Sequence, residues 1–333
     1  MRQDRWCTAL VVSGFAWIAV AAAPRAAIAA GDRAVDILQR AVLARAQVNY
    51  SGVATLTESQ PGGRTRTFIE VLYCRQGGKQ NVQVKDGNDQ LVVRRICDGS
   101  TQWESHVARG AVVRRAVPSM SERRQRDLQN LNILTRNFRT ALAGIETVAG
   151  RKAYRIRISR PGQPPALVRQ YWIDKDTYLE LKSEQYGDGG VLTSSMTMTR
   201  VNFHPDYPPG AFDFQPPPNV KPKLADDAVF RGPLAEAEKR VGFGAILPRT
   251  VPAGFQLLTQ SVAVVNRNGT PALWLRYTNG IDAFSLFQRK APGGEAPAKG
   301  RFAVRQWVHG GYQFLLVGRL TSDQIEAIRG SYR

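Results

Sequence analysis

The sequence is poor in the residues that most often carry chemistry. It has 3 cysteines, 3 histidines and 4 methionines in 333 residues. The histidines, His106, His204 and His309, are isolated from one another and from any Ser, Cys or Asp at a meaningful spacing. There is no G-x-S-x-G elbow, no H-E-x-x-H helix and no P-loop, so the common hydrolase, zinc-protease and nucleotide signatures are absent. GFGA at 242–245 lacks the third glycine of a dinucleotide fingerprint and stands between helix and loop, the wrong place for one. The carboxylate pairs Asp174/Asp176 and Asp226/Asp227 fall in a turn and in a proline-rich stretch, where Asp serves backbone hydrogen bonding. No internal repeat or heptad array is present. The expectation is a protein without catalysis, cofactor or metal.

Acidic residues are also scarce, 27 Asp and Glu against 46 Lys and Arg, for a net charge of +19. Long apolar runs are absent but for one, Ala9 to Ala23, which follows Arg2 and Arg5 and precedes AIAA and Gly31. A charged start, a short apolar core and small residues Ala27 and Ala29 describe a cleaved export signal over residues 1–30. The run is shorter than the roughly twenty residues a membrane span needs. Export excludes nucleic acid as the partner of the basic surface. It leaves anionic membrane, glycolipid or an acidic protein segment, and a plain solvated surface as the alternative. The densest positive stretch carries eight arginines between Arg94 and Arg126, with Arg94, Arg95, Arg114, Arg115, Arg123 and Arg124 as candidate contacts for an anionic partner. Cys7 leaves with the signal, so Cys74 and Cys97 remain, an even count in an oxidising compartment. Their spacing suits no metal, and a disulfide between them is expected.

The length suggests two domains. Asp32 can cap a helix over about 32–48 in which Ala34, Ile37, Leu38, Ala41, Val42 and Arg45 share a face. From Tyr50 the pattern changes to short alternating segments, among them TFIEVLYC, QNVQVK, QLVVRRIC, STQWES and AVVRRA, parted by GG, DGN, DG and RG turns. A second helical stretch, about 119–142, opens on a capping box at Ser119 and Glu122. Strands resume in KAYRIRIS, LVRQYWID, TYLELKSEQYG and GVLTSSMTMTRVNF. Such a pattern predicts an α+β fold, one strongly curved antiparallel sheet wrapped around helices. The three successive prolines of FDFQPPPNVKPKLADD, with Pro222, predict an extended connector, 217–231, between a first domain at 31–216 and a smaller α+β domain at 232–333. In the latter, PLAEAEKRVGF reads as a helix stopped by Gly242. Five strand-like runs follow, FQLLTQSVAVV, PALWLRYT, DAFSLFQR, RFAVRQWV and YQFLLVGR, and then a capping-box start at Thr321 and Gln324.

Between the curved sheet and its helices the apolar residues either pack a plain core or line a cavity open to an acyl chain, and the cavity is the functional expectation. Its candidate lining is Ile37, Leu38 and Val42 of the helix with Ile69, Val71, Tyr73, Leu192, Met196 and Met198 of the strands.

Several phrases resemble known proteins. CDGSTQWES is similar to the D-G-x-x-x-W hairpin of the LolA-like lipoprotein carriers. YWIDKDTYLELKSEQYGDGG looks like their paired-strand segment, and GAFDFQPPPNVK resembles the phrase that closes their domain. LPRTVPAGFQL and VGRLTSDQIEAI resemble the second domain of the RseB/MucB-type regulators, in which a LolA-like half-barrel is joined to a smaller α/β domain. The resemblance implies a non-enzymatic periplasmic protein. It would bind the periplasmic segment of a transmembrane anti-sigma factor, shield it from proteolysis, and release it on sensing lipid in an envelope stress response. The alternative it leaves is a LolA-like carrier of lipoproteins or lipids.

Overall fold

The fold is seen in a computed structural model that describes residues 23–60, 62–224, 228–259, 262–267, 270–291, 304–318 and 320–332. Most of the expected export signal, Asp226/Asp227 and the loop after Ala291 lie outside the described residues. No helix among the described residues is long and apolar enough to cross a membrane.

The chain enters through helix α1 (Ala23–Gln47), longer at its start than the sequence pattern suggested. A meander follows: β1 (Tyr50–Ser59), β2 (Thr65–Arg75), β3 (Lys79–Lys85), β4 (Leu91–Cys97), β5 (Thr101–His106) and β6 (Ala111–Ala116). Helix α2 (Met120–Asn137) begins on the expected capping box, with Ser119 and Glu122 each bonding the other's backbone N–H. It ends earlier than predicted because Phe138 is already extended. A second meander runs through β7 (Arg139–Val148), β8 (Arg151–Ser159), β9 (Leu167–Asp174), β10 (Glu180–Tyr186) and β11 (Leu192–Asn202). The two meanders join where β1 pairs with β11, giving one open sheet in the order β6-β5-β4-β3-β2-β1-β11-β10-β9-β8-β7, to which the short strand β12 (Lys223–Leu224) adds beside β6. Gly52 sits at this join because a side chain there would lie 2.4 Å from Met198 Cε and 2.6 Å from the Arg200 carbonyl oxygen.

The connector is not bare. Pro216–Pro218 are irregular, but Lys223–Leu224 (β12) pairs in parallel with β6 and covers that edge. Ala228–Gly232 (β13) already belongs to the second sheet. Helix α3 (Leu234–Val241) stops where Gly242 takes φ +74. The run FQLLTQSVAVV is not one strand but two, β14 (Gln256–Leu257) and β15 (Val262–Arg267). With β16 (Thr270–Thr278), β17 (Ala283–Lys290), β18 (Val304–His309) and β19 (Tyr312–Gly318) they form a sheet in the order β13-β15-β16-β17-β19-β18, β14 also pairing β16. Helix α4 (Ser322–Gly330) opens on the expected Thr321/Gln324 capping box.

Each sheet has its own core. Helix α1 lays Ala34, Ile37, Leu38 and Ala41 on Leu131, Leu134 and Phe138 and on Ile156, Ile158, Val168 and Ile173 of β8 and β9. The second core gathers Leu273, Leu275, Phe284, Leu286, Phe314 and Leu316 beneath Ala237, Val241, Ile325 and Ile328 of its two helices.

Candidate functional site

Residues directly opposite one another in an antiparallel ladder point to the same side. The helix face can therefore be followed strand by strand from Tyr171 and Ile173, which pack against α1. Tyr171 faces Ser183, Ser183 faces Met196, Met196 faces Leu56, and Leu56 faces Phe68. On the same parity Met198 faces Ala54, and Ala54 faces Glu70. The path continues through Val84 and Val82 to Arg95, Glu104, Gln102 and Arg115.

A cavity of about 280 Å³ opens on this face between α1, α2, β9 and β10. Leu38, Ala41, Val42, Leu131, Leu134 and Ile173 give it an apolar wall; Arg45, Asp127, Asn130, Arg169, Tyr171, Glu180 and Ser183 give it a polar one. Arg45 pairs with Glu180, and that carboxylate holds its guanidinium above the ordinary range. Arg169 donates to the Tyr171 hydroxyl at 3.0 Å and to Gln185 Oε1 at 2.9 Å. Its buried Nε–H has no partner among the described residues. Burial raises the Tyr171 phenol, so it stays neutral. Arg169 and Ser183 also border a second hollow, about 150 Å³, walled by Leu56, Gln185, Ser194 and Met196. The two make a trough across β9, β10, β11 and β1.

The second unit closes one end of the cavity. Asn137 Nδ2 donates to the Gly254 and Asn279 carbonyl oxygens at 2.7 and 3.0 Å. Asn130 donates to the Gly280 carbonyl oxygen at 3.2 Å and accepts from Thr278 at 3.2 Å. Ile281 packs into the first core. Gly280, at φ +100, approaches α2 so closely that a Cβ would lie 2.4 Å from Leu134 Cα. Only glycine fits there.

The expected lining divides. Ile37, Leu38 and Val42 are on the helix side, the last two at the cavity, and Met196 lines the adjoining hollow. Met198 is buried, 3% exposed, against Ala54 and Leu181. Ile69, Val71 and Tyr73 oppose Thr55, Val53 and Ser51, on the face away from the helices. Leu192 is 39% exposed and borders neither of the two hollows. The sequence expectation grouped strands by apolar content, and apolar residues occupy both faces of β2.

The arginine run divides for the same reason, because neighbours in a strand point to opposite faces. Arg95 and Arg115 stand on the helix face around Glu104, at 3.8 and 4.0 Å, and Arg95 reaches Glu70 at 3.4 Å. Burial raises the Glu70 carboxyl more than Arg95 lowers it. Arg94 and Arg114 lie on the other face, Arg114 over the Trp103 ring at 5.1 Å. Arg123 is structural, donating to the Pro118 and Gly99 carbonyl oxygens at 2.7 and 2.8 Å. Arg124 is exposed on α2.

Both cysteines are buried and free. Cys74 on β2 and Cys97 on β4 both face Gln80, which stands between them on β3. Two strand spacings separate them, about 9–10 Å, beyond the roughly 7 Å a disulfide can bridge. The expected bridge is corrected to two separate thiols, and burial pushes Cys74 up to about 11. Asp98, in the turn after Cys97, accepts from the Ser100 and Thr101 backbone N–H groups, each at 2.8 Å. The acidic pair at 174/176 is likewise structural. Arg151 grips Asp174 at 2.8 and 3.0 Å, and the Asp176 and Thr177 N–H groups complete the turn. Among the described residues no group of three or more His, Cys, Asp or Glu is placed to hold a metal.

Sequence reasoning missed Arg169 and Glu180 as a pair of charges set beside Tyr171, and missed Asn130 and Asn137 as the seam. The signal for the cavity was Arg45, a charge on the apolar stripe of α1.

The pattern of the MucB/RseB N-terminal domain matches residues 33–218. No curated protein sequence matches the chain. Among solved structures, the Pseudomonas aeruginosa MucA/MucB complex has a chain similar to this one with a TM-score of 0.54 and 19% identity, covering 89% of this chain and 96% of that one. A crystal structure of MucB gives 0.51 and 18%, covering 90% and 97%. At these identities the likeness is one of fold, and it takes in both sheets.

Proposed function

The chain belongs to the MucB/RseB family, and on that footing we propose that it is a non-enzymatic periplasmic regulator that binds the periplasmic segment of a transmembrane anti-sigma factor. The observation that carries this reading is the family match over more than half of the chain. Two of the similar solved structures are of MucB with MucA, one of them with MucA(peri). The basic surface adds attraction for an acidic segment. A lipoprotein carrier needs only the first sheet. The seam that ties α2 to the second sheet at Gly254, Asn279 and Gly280 favours the regulator.

The trough is the place for a lipid signal. Leu38, Val42, Leu131 and Met196 offer apolar contact for an acyl chain, and Arg45 and Arg169 stand where an anionic head group would lie. An amphiphile there touches both α2 and the Gly280 loop. It shifts the partner's affinity only if it binds one placement of these elements more tightly than another. The test is a pull-down of the exported protein from its native envelope, with and without anionic lipid. Recovery of an anti-sigma factor segment that lipid displaces is the expected result. Recovery of acylated lipoproteins alone makes the protein a carrier and overturns the reading.

A further inference from the structure

The face of the first sheet turned away from the helices holds a third hollow, of about 530 Å³, lined by Val53, Val71, Tyr73, Ala149, Thr199 and Arg200. Its floor belongs to one row of residues that oppose one another across five strands. In order they are Arg200 of β11, Val53 of β1, Val71 of β2, Gln83 of β3 and Arg94 of β4. The row has a valine pair near its middle and a guanidinium at each end. Tyr73 and Ile69 stand in the rows to either side, and Val53, Val71 and Ile69 are only half-buried.

Beside this row the chain covers the same face itself. The segment that follows β11 crosses the strands without forming a helix. The Tyr207 hydroxyl donates to the Cys74 carbonyl oxygen at 2.6 Å, and Asn81 Nδ2 donates to the Ala211 carbonyl oxygen at 2.7 Å. Phe214 stacks on Trp103 with centroids 5.4 Å apart. The face thus already accepts one segment laid across its strands, and the row from Arg200 to Arg94 has none.

The charge there is of one sign. Neither Arg94 nor Arg200 forms an ion pair among the described residues, and the buried Arg94 Nε–H has no partner. The strand residues of this row and of its two neighbours include no Asp or Glu. Lys85, in the neighbouring row, is matched by Asp89 at 2.9 Å. Asp206 and Asp213 of the covering segment are exposed and pair with no cation among the described residues. A second copy of this chain, at a net charge of +19, is repelled rather than attracted.

We propose that this outer row is a docking site for an extended acidic segment of another protein, lying across β11, β1, β2, β3 and β4. Four strand spacings set the two arginines about 19 Å apart, the span of about six extended residues. Alternate side chains of an extended segment point the same way. The pattern that fits therefore has a carboxylate at each end, six residues apart, and apolar side chains at the second and fourth positions between them. Those apolar groups meet Val53 and Val71, and the carboxylates meet the guanidinium forks. The inference is independent of the anti-sigma reading, since this surface can fail while the envelope pull-down succeeds.

The test uses the full exported chain and a labelled heptapeptide with blocked ends, followed by fluorescence anisotropy. The probe carries glutamate at its first and seventh positions, leucine at its third and fifth, and serine elsewhere. Saturable binding is expected, weakened about tenfold by Arg94→Glu and by Arg200→Glu but not by Arg329→Glu on α4. Added salt should weaken it as well. Replacing both leucines of the probe by serine, or both glutamates by lysine, should each cost about tenfold or more. The thermal midpoint shows that each variant folds. Absence of binding, binding that survives both arginine substitutions, or equal binding of the serine probe overturns the proposal. Capture by anionic vesicles through the same arginines, with no binding of the peptide, also overturns it and makes the row a membrane contact.

Discussion

In the second sheet one face is filled. Phe284 and Phe314 are 1% and 0% exposed, and Tyr277 stacks on Phe284 with centroids 4.8 Å apart. Trp307, Phe314 and Tyr332 form a contiguous aromatic group beneath α4. In the first sheet the helices fill only one end of their face. There Ile156 and Ile158 are 0% exposed, while farther along the same face come Arg169, Gln185, Ser194, Arg95 and Glu104. A closed core contributes stability and holds a shape. A face left partly unfilled, with charged groups held by partners, keeps room for a ligand. On the proposed reading the larger unit would take the ligand, and the smaller, with its filled core, meets α2 at Gly254, Asn279 and Gly280.

The comparison can be broken most severely at the filled core. Phe314→Ala should cost about 3–5 kcal/mol, read from urea unfolding. In the trough Met196→Ala should cost less than about 1 kcal/mol, since that side chain already borders open space. Equal losses at the two positions would erase the distinction.

Arg151→Ala comes next, at about 2–3 kcal/mol, because it leaves the fully buried Asp174 carboxylate without its ion pair. Burial raises the Asp174 pKa, but bonds from Arg151 and Thr177 outweigh it and hold the carboxyl below its ordinary value. The stability it contributes is therefore complete above the unfolded value of about 4 and is lost as pH falls through the folded value. Acid unfolding followed by circular dichroism should show that loss in the wild type and lack it in Asp174→Asn.

Gly280→Val should cost about 1–3 kcal/mol at the seam, from a left-handed backbone and a collision with α2. Limited proteolysis between Gln215 and Gly232 should become faster. An unchanged digestion pattern would mean that the seam does not hold the units together.

The smallest effect is chemical. Native Cys74 and Cys97 should resist a thiol reagent at neutral pH, and both should react after unfolding. Two thiols that stay unreactive after unfolding without reductant would restore the disulfide.

Local features were legible in the sequence because they depend on neighbours in the chain. Both capping boxes, the Gly242 stop, the apolar stripe of α1 and the alternation of KAYRIRIS needed nothing else. What the sequence hid was register. That β1 meets β11, about 150 residues away, is decided by packing such as Gly52 beneath Met198 and has no local sign. Without that register Val71 and Met198 looked like neighbours on one face, and Cys74 and Cys97 looked close enough to bond. The dipeptides Arg94-Arg95 and Arg114-Arg115 did carry a readable sign, since alternation alone divides them between faces. The seam had none: Asn130 and Asn137 pass for the solvent face of a helix until the second sheet is placed against them.

The most direct test of the regulator reading is a calorimetric titration of the full exported chain with the periplasmic segment of its anti-sigma factor, with and without an anionic amphiphile. Saturable binding that weakens about tenfold or more when the amphiphile is present, and loses that sensitivity in Arg169→Gln, is the predicted result. No binding of the segment, or an affinity the amphiphile leaves unchanged, would contradict the account.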